Sequence, residues 1–425
     1  MRILLCCEYY APSVGGVAEV LRQIAERLAA WGHQVTVATS ELAARDFDNL
    51  NGVRIKSFDV FGNSVGGMKG EVDCYREFVV SGGFDVMMVK SAQQWTFDAL
   101  WPVLDLIPMP KVFIPTGFPS LYEPSYSAYY RKMPDILRKF EHLIFYTSSY
   151  RDIDMAKAHG LVNYSIIPNG ASEVEFNVAP DPTFRKRQDI GEDSVLIMTV
   201  GRFSGMKGHT EVRKAFALME LDRDTHATLI LNGNAFPFWK TNLSGAWNKF
   251  IGLVKSNDLK TTVRKMRTMA WGKMGVRKGG AANDLAHNKK VMVTDYSRPE
   301  LIQAFLSANL FVFASYVEYS PLVLFEAAAS GTPFLTVPAG NAEEIVEWTG
   351  GGVVCPAPRD TKGYTRVDPV ELARHMARLV KDSELRNELG TAGRRAWEER
   401  FTWEKISREY EAVFERLVGE RAVTA

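Results

Sequence analysis

The stretch Glu318–Phe334, "EYSPLVLFEAAASGTPF", fixes the reading of the second half of the chain. "LFVFASY" (Leu310 to Tyr316), just before it, is a short apolar run rich in β-formers and reads as a buried strand. Ser320 can cap a helix, and Pro321 suits a first turn, where a missing N–H costs nothing. Gly331 fits the helix end and Pro333 prevents its continuation. "PFLTVP" then reads as the next strand. Strand, helix, strand is the unit of a parallel sheet. Leu322, Val323, Leu324, Phe325 and Ala327 to Ala329 surround the helix, so it is expected to be buried. A charged Glu326 inside it is costly unless something pairs with it. Glu318 lies at the helix mouth, where the dipole favours anions, and Glu326 lies about 9 Å deeper at about 1.5 Å per residue. One reading makes Glu326 half of a structural salt bridge to a neighbouring Arg or Lys. Another keeps it for a ligand.

The composition bounds the rest. The 425 residues, 46% of them hydrophobic, allow a large core and suggest two domains. A formal net charge of +1 predicts no bulk attraction to nucleic acid. The four cysteines (Cys6, Cys7, Cys74, Cys355) form no CxxC pair, which suggests neither disulfides nor a metal and fits a reducing cytoplasm. "MRILLCCEYY" reads as a strand and turn rather than a signal peptide, and no apolar run is long enough to span a bilayer.

The first half opens as β-α-β. "RILLCCEYY" is strand-like, "APSVGGV" is a turn, "AEVLRQIAERLAAWG" has helical spacing and "HQVTVATS" is the second strand. The GxGxxG dinucleotide fingerprint is absent, which argues against a dehydrogenase. Gly15 and Gly16 either make the turn or let backbone approach a phosphate. "DVMMVK", "KVFIPTG", "HLIFYTSS" and "SIIPNG" are further strands. "FPSLYEPSYSAYY" is dense in aromatics and serves packing or receives a substrate. A second α/β series starts at "VLIMTVGRF". In "VGRFSGMKGHTEVRKAFALM", Arg202 and Lys207 sit in a loop that feeds a helix starting at His209 or Thr210. Two cations there can cradle a diphosphate, or be a solvated basic loop. Met206 and Gly208 flank Lys207, so this is not a Walker A loop. From Trp239 to Lys290 there are twelve Lys/Arg against two Asp, net +10, leaving the remainder at −9. Trp247, Phe250, Ile251 and Val254 give that segment one apolar helical face, which can lie on anionic lipid or pack on the protein. "DFD" (Asp46 to Asp48) and "DRD" (Asp222 to Asp224) superficially resemble metal motifs but stand in polar, turn-like sequence. The stripe Trp403, Ile406, Tyr410, Val413 and Leu417 is a packing face.

Taken together, these stretches resemble glycosyltransferase family 4, the retaining, nucleotide-sugar-dependent enzymes with two facing Rossmann-like parallel-sheet domains (the GT-B fold, α/β). The likeness runs from "EYYAPSVGGVAEVLRQIAERLAAWGHQVTV" through "IIPNG", "VGRFSGMKG" and the Glu-x7-Glu pair to "RFTWEKISREYEAVFERL". It implies an N-terminal acceptor-side domain over 1–170, with the helix 403–420 packing back on it. A nucleotide-sugar-binding domain would cover 171–402, with the basic insertion at about 235–290. By the same resemblance Arg202 and Lys207 hold the donor diphosphate and Glu318 binds a donor-sugar hydroxyl. Glu326 accepts from the nucleotide ribose and is therefore left unpaired by protein. Backbone around Ser320 and Leu322 contacts sugar or phosphate, and Gly15 and Gly16 close over the donor. Arg202, Lys207 and Glu318 are thus the expected catalytic residues. No metal or other cofactor is expected, since fixed cations and a helix dipole stabilise the leaving group. The partners implied are a nucleotide-sugar donor and a glycan or lipid-linked acceptor, with an anionic membrane surface engaged through 239–290 and no nucleic acid. The implied location is cytoplasmic, or peripheral on the inner membrane face. One departure stands out: many relatives carry a histidine where this chain has Thr116-Gly117. Two other readings stay open, a non-catalytic nucleotide- or glycan-binding module and another GT-B enzyme such as a nucleotide-sugar epimerase.

Overall fold

The computed structural model describes residues 1–233, 286–361 and 363–424. Nearly all of the basic segment 239–290, with its expected membrane surface, lies outside the described residues.

The protein divides into two compact units. The first comprises Met1–Glu173, Tyr319–Leu322 and Glu399–Ala425, and the second Val174–Glu318 and Val323–Glu398. The first unit is built on strands β1 (Arg2–Cys6), β2 (Gln34–Ser40), β3 (Asn49–Leu50), β4 (Val53–Phe58), β7 (Val86–Lys90), β8 (Lys111–Ile114), β9 (His142–Phe145) and β10 (Tyr164–Ile166). Their order is β10-β9-β8-β7-β1-β2-β4-β3, parallel except for the short β3 edge. A two-stranded hairpin, β5 (Val60–Asn63) and β6 (Gly67–Gly70), stands apart from it. The central strands are apolar throughout because both faces are covered: Ile3, Leu5, Val86 and Met88 face one core, and Leu4, Cys6, Met87 and Val89 the other. The stripe Trp403, Ile406, Tyr410, Val413 and Leu417 is buried in the first of these cores, beside Leu21, Ile24 and Leu28 of the helix Gly16–Ala30. Tyr129 and Tyr130 of the aromatic-rich stretch are buried in the other core, on the helix Ser127–Leu137, whereas Tyr122 is exposed.

In the second unit β11 (Val195–Val200), β12 (Ala227–Asn232), β13 (Lys289–Thr294), β14 (Leu310–Phe313), β15 (Phe334–Thr336) and β16 (Gly352–Val354) form a wholly parallel sheet, ordered β13-β12-β11-β14-β15-β16. Ile197, Leu229, Leu231, Leu310, Val312 and Leu335 share a core with Phe216 and Met376. Each unit thus has a point where the strand order reverses: between β1 and β7 in the first and between β11 and β14 in the second. Ligands of open parallel sheets bind outside the carboxyl ends of the strands at such points.

The helix expected around Glu326 runs from Leu322 to Ala329, and Leu324 to Ala329 are buried. Its start differs from the sequence reading. Ser320 and Pro321 both precede the helix, and the Ser320 hydroxyl is buried with no hydrogen-bond partner among the described residues. Ser320 therefore does not cap it: the serine stands two residues before Leu322, and its backbone carbonyl oxygen instead accepts from Asn169 Nδ2 at 3.1 Å.

Candidate functional site

The loops at the reversal point of the second sheet carry the three expected catalytic residues. Arg202 and Lys207 lie in the loop after β11, and Glu318 in the loop after β14. The two loops are fastened together by Tyr316 N–H and Ser315 Oγ–H, which donate to Met206 O at 2.9 and 3.1 Å. Gly208 allows this closeness. Its φ is +72°, and a Cβ there would stand 2.0 Å from Ala314 O, so no other residue fits. Gly208 also sits immediately before the helix His209–Leu218, whose N-terminal N–H groups open toward the same loop. Arg202 is exposed, with no ion-pair partner among the described residues. Lys207 forms an ion pair with Glu318, whose Oε1 lies 3.0 Å from Ser315 Oγ. The residues expected at diphosphate and sugar thus hold one another, which places a cation and an anion side by side at the strand ends.

Glu326 is not left unpaired, contrary to the expectation drawn from the resemblance. Its Oε1 lies 2.7 Å from Arg298 Nη2, and the same guanidinium holds Glu175 through Nε at 3.0 Å and Nη2 at 2.6 Å. The physical reason is burial: Glu326 is only 9% exposed, and a carboxylate in that setting requires a cation. Burial opposes the charge on Arg298, but the two carboxylates outweigh it and hold the guanidinium well above its usual range. Arg298 is placed by a capping box at the start of the helix Arg298–Ser307. Ser297 is the N-cap, and Glu300 Oε2 accepts from its backbone N–H at 3.2 Å and its hydroxyl at 2.9 Å. "SRPE" carries that cap signal in sequence; nothing in the sequence says that Arg298 reaches Glu326. Arg298→Ala is expected to cost about 2 kcal/mol, below the usual range for a buried pair because Arg298 is partly exposed. Urea unfolding at pH 7 checks this, and a change under about 0.5 kcal/mol, on the scale of ordinary surface substitutions, contradicts it.

The remaining expected residues belong to the first unit. Gly15 immediately precedes, and Gly16 opens, the helix Gly16–Ala30. Gly15 is extended and nothing stands within 4 Å of where its Cβ would be, while a Cβ on Gly16 would meet Leu322 Cδ1 at an ordinary 3.7 Å. Neither glycine is required by the local backbone, so what they offer is open backbone at a helix N-terminus. Leu322 packs against the core that also holds Ile24 and Tyr410. Of the acids read as superficially metal-like, Asp222 pairs with Lys381 at 3.2 Å.

Sequence reasoning missed a buried polar network in the first unit. Lys90, at the end of β7, is 1% exposed and donates to the Tyr146 hydroxyl. Its ammonium lies 4.7 Å from the Tyr146 ring centroid, and burial pulls it down to about 8. Asp152, fully buried, accepts from Gly117 N–H at 2.7 Å and bonds the Tyr319 phenol; burial pushes its carboxyl up to about 6. A lone Lys at a strand end and one of the two Asp in "YRDIDMAKA" carry no sequence signal of such a role.

Two parallel-sheet units, with paired acids and a cationic loop at the strand ends of the second, define the GT-B glycosyltransferase fold. Residues 280–396 match the family of glycosyl transferases group 1. N-acetyl-alpha-D-glucosaminyl L-malate synthase of Bacillus anthracis is 22% identical over 284 residues, 64% of this chain and 62% of that protein. The match thus spans less than two thirds of that relative. Among solved structures, sucrose-phosphate synthase from Thermosynechococcus elongatus superposes with a TM-score of 0.69 at 19% identity, covering 99% of both proteins. Anabaena HepE, solved with UDP and glucose, gives 0.65 at 16% identity over 98% of this protein and 100% of that one.

Proposed function

We propose that the protein transfers a sugar from a nucleotide-sugar donor to a glycan or lipid-linked acceptor, with retention of anomeric configuration and without a metal. The observation that carries this reading is the Lys207–Glu318 pair at the reversal point of the second sheet, in the loop that also holds Arg202 and beside the N-terminus of the helix His209–Leu218. When the bond from sugar to diphosphate breaks, negative charge grows on the leaving oxygen while the sugar carbon gains oxocarbenium character. Arg202, Lys207 and the helix N-terminal amides are fixed positive groups of the kind that favour that charge. Glu318 accepts from a donor-sugar hydroxyl, a role for which its ion pair with Lys207 already orients the carboxylate. Glu326 accepts from the ribose. Its pairing with Arg298 is compatible with this, because a carboxylate has about four acceptor sites and one cation does not fill them. The departing phosphate takes the acceptor proton as the acceptor attacks from the same face. Ser320, Leu322, Gly15 and Gly16 contribute backbone around sugar and phosphate. The basic segment 239–290 is proposed to bring the enzyme to an anionic membrane surface from the cytoplasmic side.

Thermal shift against UDP, GDP, ADP, CMP and dTDP, with and without Mg²⁺, tests the reading on wild type and Glu326→Ala. A ligand at 100-fold excess over Kd should add about 2.7 kcal/mol. One nucleotide is expected to stabilise wild type without Mg²⁺ and to lose most of that effect in Glu326→Ala. Incubation with the matching nucleotide sugars should then release free nucleotide, by hydrolysis or transfer. Stabilisation without any turnover would favour the binding module, and an altered donor sugar would favour the epimerase.

A further inference from the structure

Tyr316, in the loop after β14, is fixed from three sides within the second unit. Its N–H donates to Met206 O at 2.9 Å, which ties it to the loop carrying Lys207, and its carbonyl oxygen accepts from Thr365 N–H at 2.8 Å. The Arg366 guanidinium lies 4.3 Å from its ring centroid, a cation–π contact, and is itself held by Asp360, to whose Oδ2 Arg366 Nε donates at 2.9 Å. Thr365 is anchored in turn by its hydroxyl, which donates to Pro338 O at 3.1 Å. With ring and backbone fixed, the Tyr316 hydroxyl is delivered to one carboxylate: it donates to Glu211 Oε1 at 2.6 Å. Burial and the nearby Glu211 push the phenol up to about 12, so it stays a donor at neutral pH.

Glu211 stands at the third position of the helix His209–Leu218, after Gly208 at the N-cap. A glutamate there ordinarily reaches back to the N-cap amide, and its charge suits the positive end of the helix dipole. Gly208 has no side chain to cap the first-turn amides, so a released Glu211 is the side chain best placed to take them. An anion binding to those amides would have to displace it. In the structure Glu211 does not close the helix end: among the described residues its carboxylate accepts from Tyr316 and from no backbone N–H.

We propose that Tyr316 is a positioning residue for anion binding in the second unit: its hydroxyl diverts Glu211 from the first-turn amides of the helix His209–Leu218 and so leaves them open to a diphosphate. The identity of that diphosphate as the donor's rests on the transferase reading. Arg366 and Thr365 share the task, since they fix the tyrosine that holds the carboxylate.

The test is calorimetric titration with inorganic pyrophosphate, which reads the anion site without base or sugar, on wild type, Tyr316→Phe, Glu211→Ala and the double variant. Tyr316→Phe keeps the ring beneath Arg366 and removes only the hydroxyl. It is expected to weaken pyrophosphate binding about tenfold, the size of a helix-capping interaction that the anion must then displace. Glu211→Ala should bind at least as tightly as wild type, and adding Tyr316→Phe to it should change affinity by no more than about twofold, the scatter of independent sites. A merely structural tyrosine would not show that rescue, because a loosened loop weakens binding whatever stands at position 211. With a nucleotide sugar that turns over, Tyr316→Phe should raise KM about tenfold and leave kcat nearly unchanged, since the released carboxylate opposes ground state and transition state alike. A wild type that follows this cycle with pyrophosphate yet turns over no nucleotide sugar would sink the transferase reading and sustain this one. Unchanged pyrophosphate affinity in Tyr316→Phe, a loss that Glu211→Ala does not reverse, or no pyrophosphate binding by wild type overturns it.

Discussion

Lys207→Ala is expected to lower turnover by about two to three orders of magnitude, while nucleotide affinity falls about tenfold or less. The asymmetry follows from where the charge develops. A cation set beside the leaving oxygen is worth most in the transition state, and removing one such fixed group costs about 10²–10³ in kcat. Lys207 is held for this by the loop it occupies: Gly208 permits the approach to Ala314, and Glu318 receives the ammonium. Lys207→Arg should recover part of the rate, because charge is kept although geometry is not. Glu318→Gln releases the ammonium without removing it but also changes the proposed sugar contact, so its effect adds to, rather than isolates, that of Lys207. Steady-state kinetics at saturating donor decide the matter. A fall below about fivefold, far short of the usual loss for such a group, would mean that Lys207 serves the ion pair alone, and that Arg202 and the helix N-terminus carry the leaving-group charge.

The second large effect concerns stability and runs in the opposite direction from most core substitutions. Lys90→Met is expected to stabilise the protein by about 2 kcal/mol at pH 7. Burial holds the ammonium down to about 8 against an ordinary value of 10.5. That difference is worth about 3 kcal/mol, since one pK unit is about 1.4 kcal/mol, and loss of the bond to Tyr146 returns about 1 kcal/mol of it. The sign follows from proton linkage. Between about 8 and 10.5 the unfolded state holds the proton and the folded state does not, so stability rises with pH across that window. Below about 8 both states are protonated and the full cost of the buried charge is present. The advantage of methionine should therefore be complete at pH 7 and nearly gone by pH 10.5, as urea unfolding at the two pH values would read. Lower stability of Lys90→Met at pH 7 would show that the ammonium is better solvated by Tyr146 than its burial implies. A stabilised variant with reduced activity would place the lysine among groups retained at a stability cost for function.

Much of this was legible in the order of residues because it rests on local chemistry. Alternating apolar strands and helical spacing pointed to two parallel-sheet series, since strands covered on both faces must be apolar throughout. Gly331, Pro333 and the run Leu322 to Ala329 marked one buried helix, and the C-terminal stripe marked a packing face. Arg202, Lys207 and Glu318 could be singled out because charged residues stood where apolar strands ended. The partners of those charges could not be read, because pairing depends on which strand ends become neighbours. Arg298 lies 28 positions before Glu326, and Asp152 lies 167 positions before Tyr319. Only the tertiary fold brings each pair together. The sequence by itself determined that Glu326 would be buried in an apolar helix; the tertiary structure decided that Arg298 neutralises it. It likewise decided that Ser320, a plausible cap by composition, precedes the helix with its hydroxyl unpartnered among the described residues, and that Asp152 holds the amide of Gly117, next to Thr116 in its left-handed conformation. Burial is a property of local pattern, whereas the satisfaction of a buried charge is a property of the assembled fold.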